Sequence, residues 1–172
     1  MSAKYSRKII LVFLILLNIG CDQFSKEWVR SNVDTHEYIE LMGKSFVLTK
    51  VENSGAFLGF GSSFHPVLKS ILLLGLPVIT LLGLIIYLFS FKKLENTFAI
   101  AMAFIIGGGI GNLFDRMLYG SVTDFFYIHI GIFKTGIFNM ADVSVTTGIV
   151  FLLFYQIMIN MPKAENKKMT PL

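Results

Sequence analysis

Four apolar runs, each about long enough to cross a bilayer, leave this chain few ways to fold. A spanning helix needs about 20 mostly apolar residues, and residues 9–28, 70–91, 97–115 and 138–160 supply them. In hydrocarbon every backbone polar group must be bonded within the protein, so such runs are helices. The second run carries Gly75 and Pro77, which a membrane helix tolerates because surrounding groups satisfy the freed backbone. Composition agrees, with 54% hydrophobic and only 15% charged residues, against about 25% charged in soluble domains. The expectation is an all-α membrane protein, residues 1–172 forming one domain of four transmembrane helices. Residues 29–69 and 116–137 become its outer loops and 162–172 a solvated tail.

The net charge of +4 says less than its placement. Basic residues cluster at Lys4, Arg7 and Lys8, at Lys92 and Lys93, and at Lys163, Lys167 and Lys168. Four spans put both termini and all three clusters on one side, which the positive-inside rule makes cytoplasmic. A nucleic-acid partner would need the cations on one face with aromatics between them, and no such pattern exists. The single cysteine excludes an internal disulfide framework and a CxxC metal site.

The first 21 residues look like a signal peptide, and Asn18-Ile19-Gly20-Cys21 is lipobox-like. A lipobox wants a large apolar residue where Asn18 stands, so the better reading continues one helix to about Trp28 and keeps residues 1–20. Asn18, Asp22 and Lys26 then share a face at i, i+4, i+8, and Asp22 pairs with Lys26 to orient the helix. In the first outer loop, Glu37–Met42 and Ser45–Val51 have strand-like composition and are split by Gly43-Lys44, the pattern of a short β-hairpin. A small β-rich subdomain is therefore expected between helices one and two. Residues 52–61 (ENSGAFLGFG) follow, a glycine-rich loop suited to dip toward the membrane surface. His36-Glu37-Tyr38-Ile39-Glu40 lacks the second histidine of a zinc protease motif. His65 and His129 are isolated. Lys92-Lys93 makes a tight turn into the third span. There, Gly107 and Gly111 form a small-xxx-small pair for close helix approach, while neither the lysine nor the strand of a phosphate-binding loop is present. Arg116 ends this helix, suited either to the headgroups or to a neighbouring carboxylate.

Polar residues gather where lipid should forbid them: Asn112, Asp115, Arg116, Asp124, Asn139 and Asp142. Ionisable residues at a membrane boundary are costly and mark function by default. Asp124 and Asp142 lie on the two arms of one loop, and two carboxyls held close share a proton. Asn139, Asp142 and Thr146 share one helical face. Asp142 falls in a first turn, where the helix dipole favours the anion. Asp124, within Val122-Thr123-Asp124-Phe125-Phe126, should hold a proton more readily. A proton-coupled transporter would also bury carboxylates, but four spans without a repeat make a poor alternating-access machine. A non-catalytic assembly factor could use the same face to bind a partner helix.

Five blocks resemble lipoprotein signal peptidase (signal peptidase II), the bacterial membrane aspartyl protease family. They are Asp22–Lys26 (DQFSK), Asn53–Ala56 (NSGA), Gly107–Arg116 (GGGIGNLFDR), Gly120–Phe125 (GSVTDF) and Phe138–Asp142 (FNMAD), in the family's order along almost the whole chain. The resemblance implies that Asp124 and Asp142 are the catalytic dyad. It also implies that Asp22, Lys26, Asn53, Gly55, Gly108, Asn112, Asp115, Arg116, Asn139 and Ala141 support the dyad or line the substrate cleft. Phe57 departs from the small residue that many relatives keep after Gly-Ala, and Cys21 from a more usual aliphatic residue. The implied substrate is a diacylglyceryl-modified prolipoprotein, cut just before its lipid-bearing cysteine, with membrane lipids as partners and no metal or cofactor. The expected form is a monomer in the bacterial inner membrane, with its active site toward the outer leaflet. Asn53 would bind the substrate backbone from a flap made of its loop.

Overall fold

The computed structural model describes residues 3–56, 59–91 and 93–160, with side chains from Ser6 onward. Phe57 and Leu58 of the expected flap, Lys92 and the tail lie outside the described residues. Four helical segments are long and apolar enough to cross a membrane: Ser6–Asn32, Pro66–Ser90, Asn96–Tyr119 and Met140–Asn160.

Helix α1 (Ala3–Asn32) runs without a break through Gly20 and Cys21. At 1.5 Å per residue its 30 residues reach about 45 Å, more than the hydrocarbon thickness, so one end projects beyond the membrane. The second span comprises α2 (Pro66–Ser70), one wide π turn (Ile71–Gly75) and α3 (Leu76–Ser90). The π turn lies just before Pro77, whose ring would clash with the carbonyl four residues back in a regular α-helix. Helix α4 (Asn96–Tyr119) outlasts its expected end by a turn, stopping where Gly120 takes φ 73° and its N–H bonds to the Arg116 carbonyl. Helix α5 (Met140–Asn160) completes the set.

Helix α4 is the centre. Of its most apolar stretch 44% is buried, against 11–17% for the other spans. Small residues make this possible, since lipid tails give apolar side chains no reason to leave them and helices associate by close packing instead. A Cβ on Gly107 would stand 2.7 Å from the Asn18 Cβ of α1, and one on Gly148 of α5 2.6 Å from the Ala101 carbonyl. The expected small-xxx-small contact is thus made, with α1. Leu11, Ile15, Leu88, Met102 and Ile106 form the apolar core between these helices.

Outside the bundle stands one antiparallel sheet in the order β1 (Ile39–Glu40), β2 (Phe46–Asn53), β3 (Val122–Ile130) and β4 (Phe133–Lys134). The expected hairpin is β1–β2. The other half of the sheet comes from the loop between α4 and α5, so the β-rich subdomain is shared between both outer loops. Strand β3 follows α4 after two residues, and its Phe125 and Phe126 N–H groups both bond to the Phe138 carbonyl, 3.0 and 2.8 Å away. That bond draws the start of α5 against β3. Val29, Val33, Leu48 and Phe125 seal the sheet to the C-terminal end of α1.

Candidate active site

The ladder on α1 anchors the site. Asn18 bonds to Ser144 of α5 at 2.7 Å. One turn on, Asp22 and Lys26 form an ion pair at 2.8 Å with both side chains wholly buried. The pair does more than orient α1. Asp115 of α4 joins it, 3.3 Å from Lys26 Nζ and 2.8 Å from Arg30 Nη2, and is also wholly buried. Gln23 Nε2 donates to both Asp22 Oδ2 (3.0 Å) and Asp115 Oδ1 (3.1 Å). Two carboxylates and two cations are thereby paired, as buried charges must be.

This cluster reaches the next two carboxyls through the backbone. Asp22 Oδ1 accepts the N–H of Ala141 at 2.8 Å, and Asp115 Oδ2 accepts the N–H of Thr123 at 3.1 Å. Ala141 and Thr123 are the residues immediately before Asp142 and Asp124. Glycines let the elements come this close. A Cβ on Gly111 would stand 2.5 Å from Asp22 Oδ2, and one on Gly108 would strike the Ala141 carbonyl.

Asp142 caps its own helix. Its Oδ2 accepts the Asn139 N–H at 3.1 Å while Asn139 Oδ1 accepts the Asp142 N–H at 3.0 Å, a reciprocal capping box. Its Oδ1 accepts from Asn112 Nδ2 at 2.8 Å. Asp124, near the start of β3 and only 4% exposed, accepts from Asn139 Nδ2 at 2.6 Å and from Asn53 Nδ2 at 2.9 Å. Asn139 therefore touches both carboxyls. Where β2 faces Asp124 its register shifts between Leu48 and Val51, the kind of irregularity that re-aims side chains beside functional sites. Burial, reinforced by the negative charge of Asp142, pushes the Asp124 carboxyl up to about 6, against the opposing pull of Asn53, Asn139 and Lys26.

Asp124 and Asp142 open into one cavity of about 860 Å³, together with Asn53, Asn112, Arg116 and Thr146. It extends along α5 as far as Ile149 and out to Ile128 and Lys134 of the sheet. Two coupled carboxyls facing an open cleft can activate water with one member and donate a proton with the other.

Two residues behave differently from expectation. Arg116 makes no direct bond to a carboxylate among the described residues; its Nη2 donates to the Gly55 carbonyl at 3.1 Å and pins the glycine-rich loop. Gly55 is buried there, and a Cβ would meet the Gly59 carbonyl oxygen at 2.5 Å. The Asn53 amide is already committed, donating to Asp124 and to the Ala56 carbonyl (3.1 Å) and accepting from the Gly55 N–H (3.0 Å). It holds Asp124 and shapes the loop. Arg30 was missed, although it continues the i, i+4 series of Asn18, Asp22 and Lys26 by one rung. Gln23 and Thr123 were missed as well, and no periodic signal marks them.

Comparison with known proteins follows the same line. The family model for signal peptidase (SPase) II matches residues 14–158. A lipoprotein signal peptidase of Clostridioides difficile (strain 630) is 36% identical over 146 residues, 85% of this chain and 93% of that protein. One from Buchnera aphidicola subsp. Baizongia pistaciae (strain Bp) is 36% identical over 152 residues, covering 88% and 92%. A solved bacterial membrane enzyme superposes with a TM-score of 0.73 at 25% identity, covering 97% of this chain and 94% of that one.

Proposed function

The chain belongs to the signal peptidase II family, and on that premise we propose that Asp124 and Asp142 are the carboxyls with which it cuts. It is an aspartic endopeptidase of the bacterial membrane that removes signal peptides from diacylglyceryl-modified prolipoproteins, cleaving before the lipid-bearing cysteine. The observation that carries the dyad is the joint one: two carboxyls, from β3 and from the first turn of α5, line one cavity and share Asn139 as a hydrogen-bond donor and cap.

In this reading one carboxylate takes a proton from water as the water oxygen attacks the scissile carbonyl. The other, protonated, polarises that carbonyl and then gives its proton to the departing amine as the C–N bond breaks. The products are the signal peptide, with a new carboxylate, and a lipid-modified cysteine with a free α-amine. The cavity wall along α5, where Val143, Val145 and Ile149 stand beside Thr146 and Thr147, suits acyl chains or the signal helix. Asp22, Lys26, Asp115, Asn112 and Asn139 hold the dyad, while Asn53, Gly55 and Arg116 hold the loop beside it. The basic clusters argue for cytoplasmic termini and a site toward the outer leaflet.

The test is cleavage of diacylglyceryl-modified prolipoprotein by wild type, Asp124→Asn and Asp142→Asn in detergent or bilayer. Both variants should fold and fail to cut. Near wild-type turnover by either one sinks the dyad.

A further inference from the structure

Three amides reach the dyad, and each could turn either its oxygen or its nitrogen toward a carboxyl. Groups that can only donate decide the matter. Lys26 Nζ lies 2.9 Å from Asn112 Oδ1, and an ammonium accepts nothing, so Asn112 must present its N–H to Asp142. The Asp142 backbone N–H fixes Asn139 Oδ1 in the same way, turning Asn139 Nδ2 to Asp124. The Gly55 N–H fixes Asn53 Oδ1, turning Asn53 Nδ2 to the other oxygen of Asp124. All three amides are fixed donors. No acceptor among them is left for a carboxyl proton, which must point into the cavity.

Each carboxyl accepts two N–H groups, so hydrogen bonding alone leaves the protonated member undecided. Three differences break the tie. Asp142 sits in the first turn of α5, where the helix dipole favours an anion. Its donor Asn112 is backed by the full charge of Lys26, which polarises the amide it bonds. Asp124 is buried whereas Asp142 is half-buried, so desolvation bears harder on an ionised Asp124. The charge count fits one proton. Asp22, Asp115, Asp124 and Asp142 face Lys26, Arg30 and Arg116, leaving one negative charge in excess; Glu52 of β2, bonded to Thr123, is exposed.

Resting on the dyad proposed above, we infer that Lys26, acting through Asn112, is a positioning residue that keeps Asp142 as the unprotonated member and leaves the single proton on Asp124. Asp142 then takes the proton of the attacking water, and Asp124 gives its own to the departing amine. The two carboxyls re-equilibrate through the open cavity before the next turnover.

The experiment is the pH profile of kcat/KM on diacylglyceryl-modified prolipoprotein, with melting in detergent as the check on folding. Asn112→Ala strips a donor from Asp142 and should move the acidic limb upward by about one pH unit with the basic limb in place. Asn53→Ala strips a donor from Asp124 and should move the basic limb upward by a similar amount with the acidic limb in place. Lys26→Gln should reproduce the Asn112→Ala shift of the acidic limb and, because its charge also pulls Asp124 down, raise the basic limb by a smaller amount; on the acidic limb the double variant should add nothing. Swapped limbs, or two unmoved profiles, overturn the inference; an additive double variant overturns the route through Asn112. If Lys26→Gln does not fold, the two asparagine variants still decide. Normal turnover by Asp124→Asn or Asp142→Asn would instead overturn the dyad itself, a failure distinct from swapped limbs.

Discussion

Four buried or half-buried aspartates stand close together in this protein, and they fall into two unlike pairs. Asp22 and Asp115 are wholly buried and bonded to Lys26 and Arg30. Asp124 and Asp142 are held by asparagine amides and backbone N–H groups, with no cation within 4 Å among the described residues. A buried carboxylate bonded to a cation and to a backbone N–H serves as a fixed post. One held by neutral donors has no bonded cation to offset its burial, and for Asp124 that burial, with a lesser push from the charge of Asp142, raises the carboxyl to about 6. The first pair grips the backbone one residue ahead of each member of the second, so under the proposed mechanism structure and chemistry are divided between like side chains a short distance apart.

The sharpest way to break this contrast is to neutralise each member. Asp124→Asn and Asp142→Asn should each cost about three orders of magnitude in turnover or more, since an acid or base in the reaction is lost, with melting largely unchanged. If either variant unfolds instead, that residue belongs with the structural pair.

The complementary change is Lys26→Met, which strands buried Asp22 and leaves Asp115 only Arg30. It should destabilise the protein by about 3–5 kcal/mol, read as loss of folded yield and a lower melting temperature. Removing the carboxylates together with the cation, in Asp22→Asn/Lys26→Met/Asp115→Asn, should recover part of that loss. No recovery would mean that the cluster acts through packing and not charge.

A smaller effect separates the loop from the chemistry. Asn53→Ala removes a donor to Asp124 and unties Gly55 and Ala56, while both carboxyls remain. Turnover should fall by roughly one to two orders of magnitude, as misplacement of a reacting group can cause. The loop should also become easier to cleave by added protease. Wild-type activity with an equally protected loop would leave Asn53 no part in the site.

How much of this was legible in the sequence depended on whether a residue's role lies in its own period or in a remote partner. The spans stood out as long apolar runs, and Asp124 and Asp142, the proposed dyad, because polar residues beside such runs have few innocent explanations. Asp22 and Lys26 were readable from i, i+4 spacing alone. Arg30 obeys the same spacing, yet it fell beyond the expected helix end at Trp28 and was passed over. Strand β3 was hidden because Val122–Ile130 does not alternate cleanly, with Thr123 next to Asp124 and Phe125 next to Phe126, so the period-two signal of a strand is lost. The saturation of the Asn53 amide depends on Asp124, 71 positions away, and on a turn at Gly55. Nothing local announces either.

The smallest predicted effect tests the electrostatic half of the contrast through stability. A carboxyl whose value is raised on folding binds its proton more tightly in the native state than in the unfolded one. Its favourable contribution is then complete below about pH 4, the unfolded value, and is lost as pH rises through about 6. Ionised Asp124 is therefore a burden to the fold at pH 8 that Asp124→Asn does not carry, because an amide is neutral at every pH, although its nitrogen must face the Asn53 or the Asn139 donor at every pH. Measured against wild type, the variant should melt a few degrees higher at pH 8 than at pH 4.5. Asp115 offers the opposite case. Its charge is matched by Lys26 and Arg30, so Asp115→Asn should lower the melting temperature at pH 8. A gain for Asp115→Asn at pH 8, or no gain for Asp124→Asn between the two pH values, would erase the distinction between the two pairs.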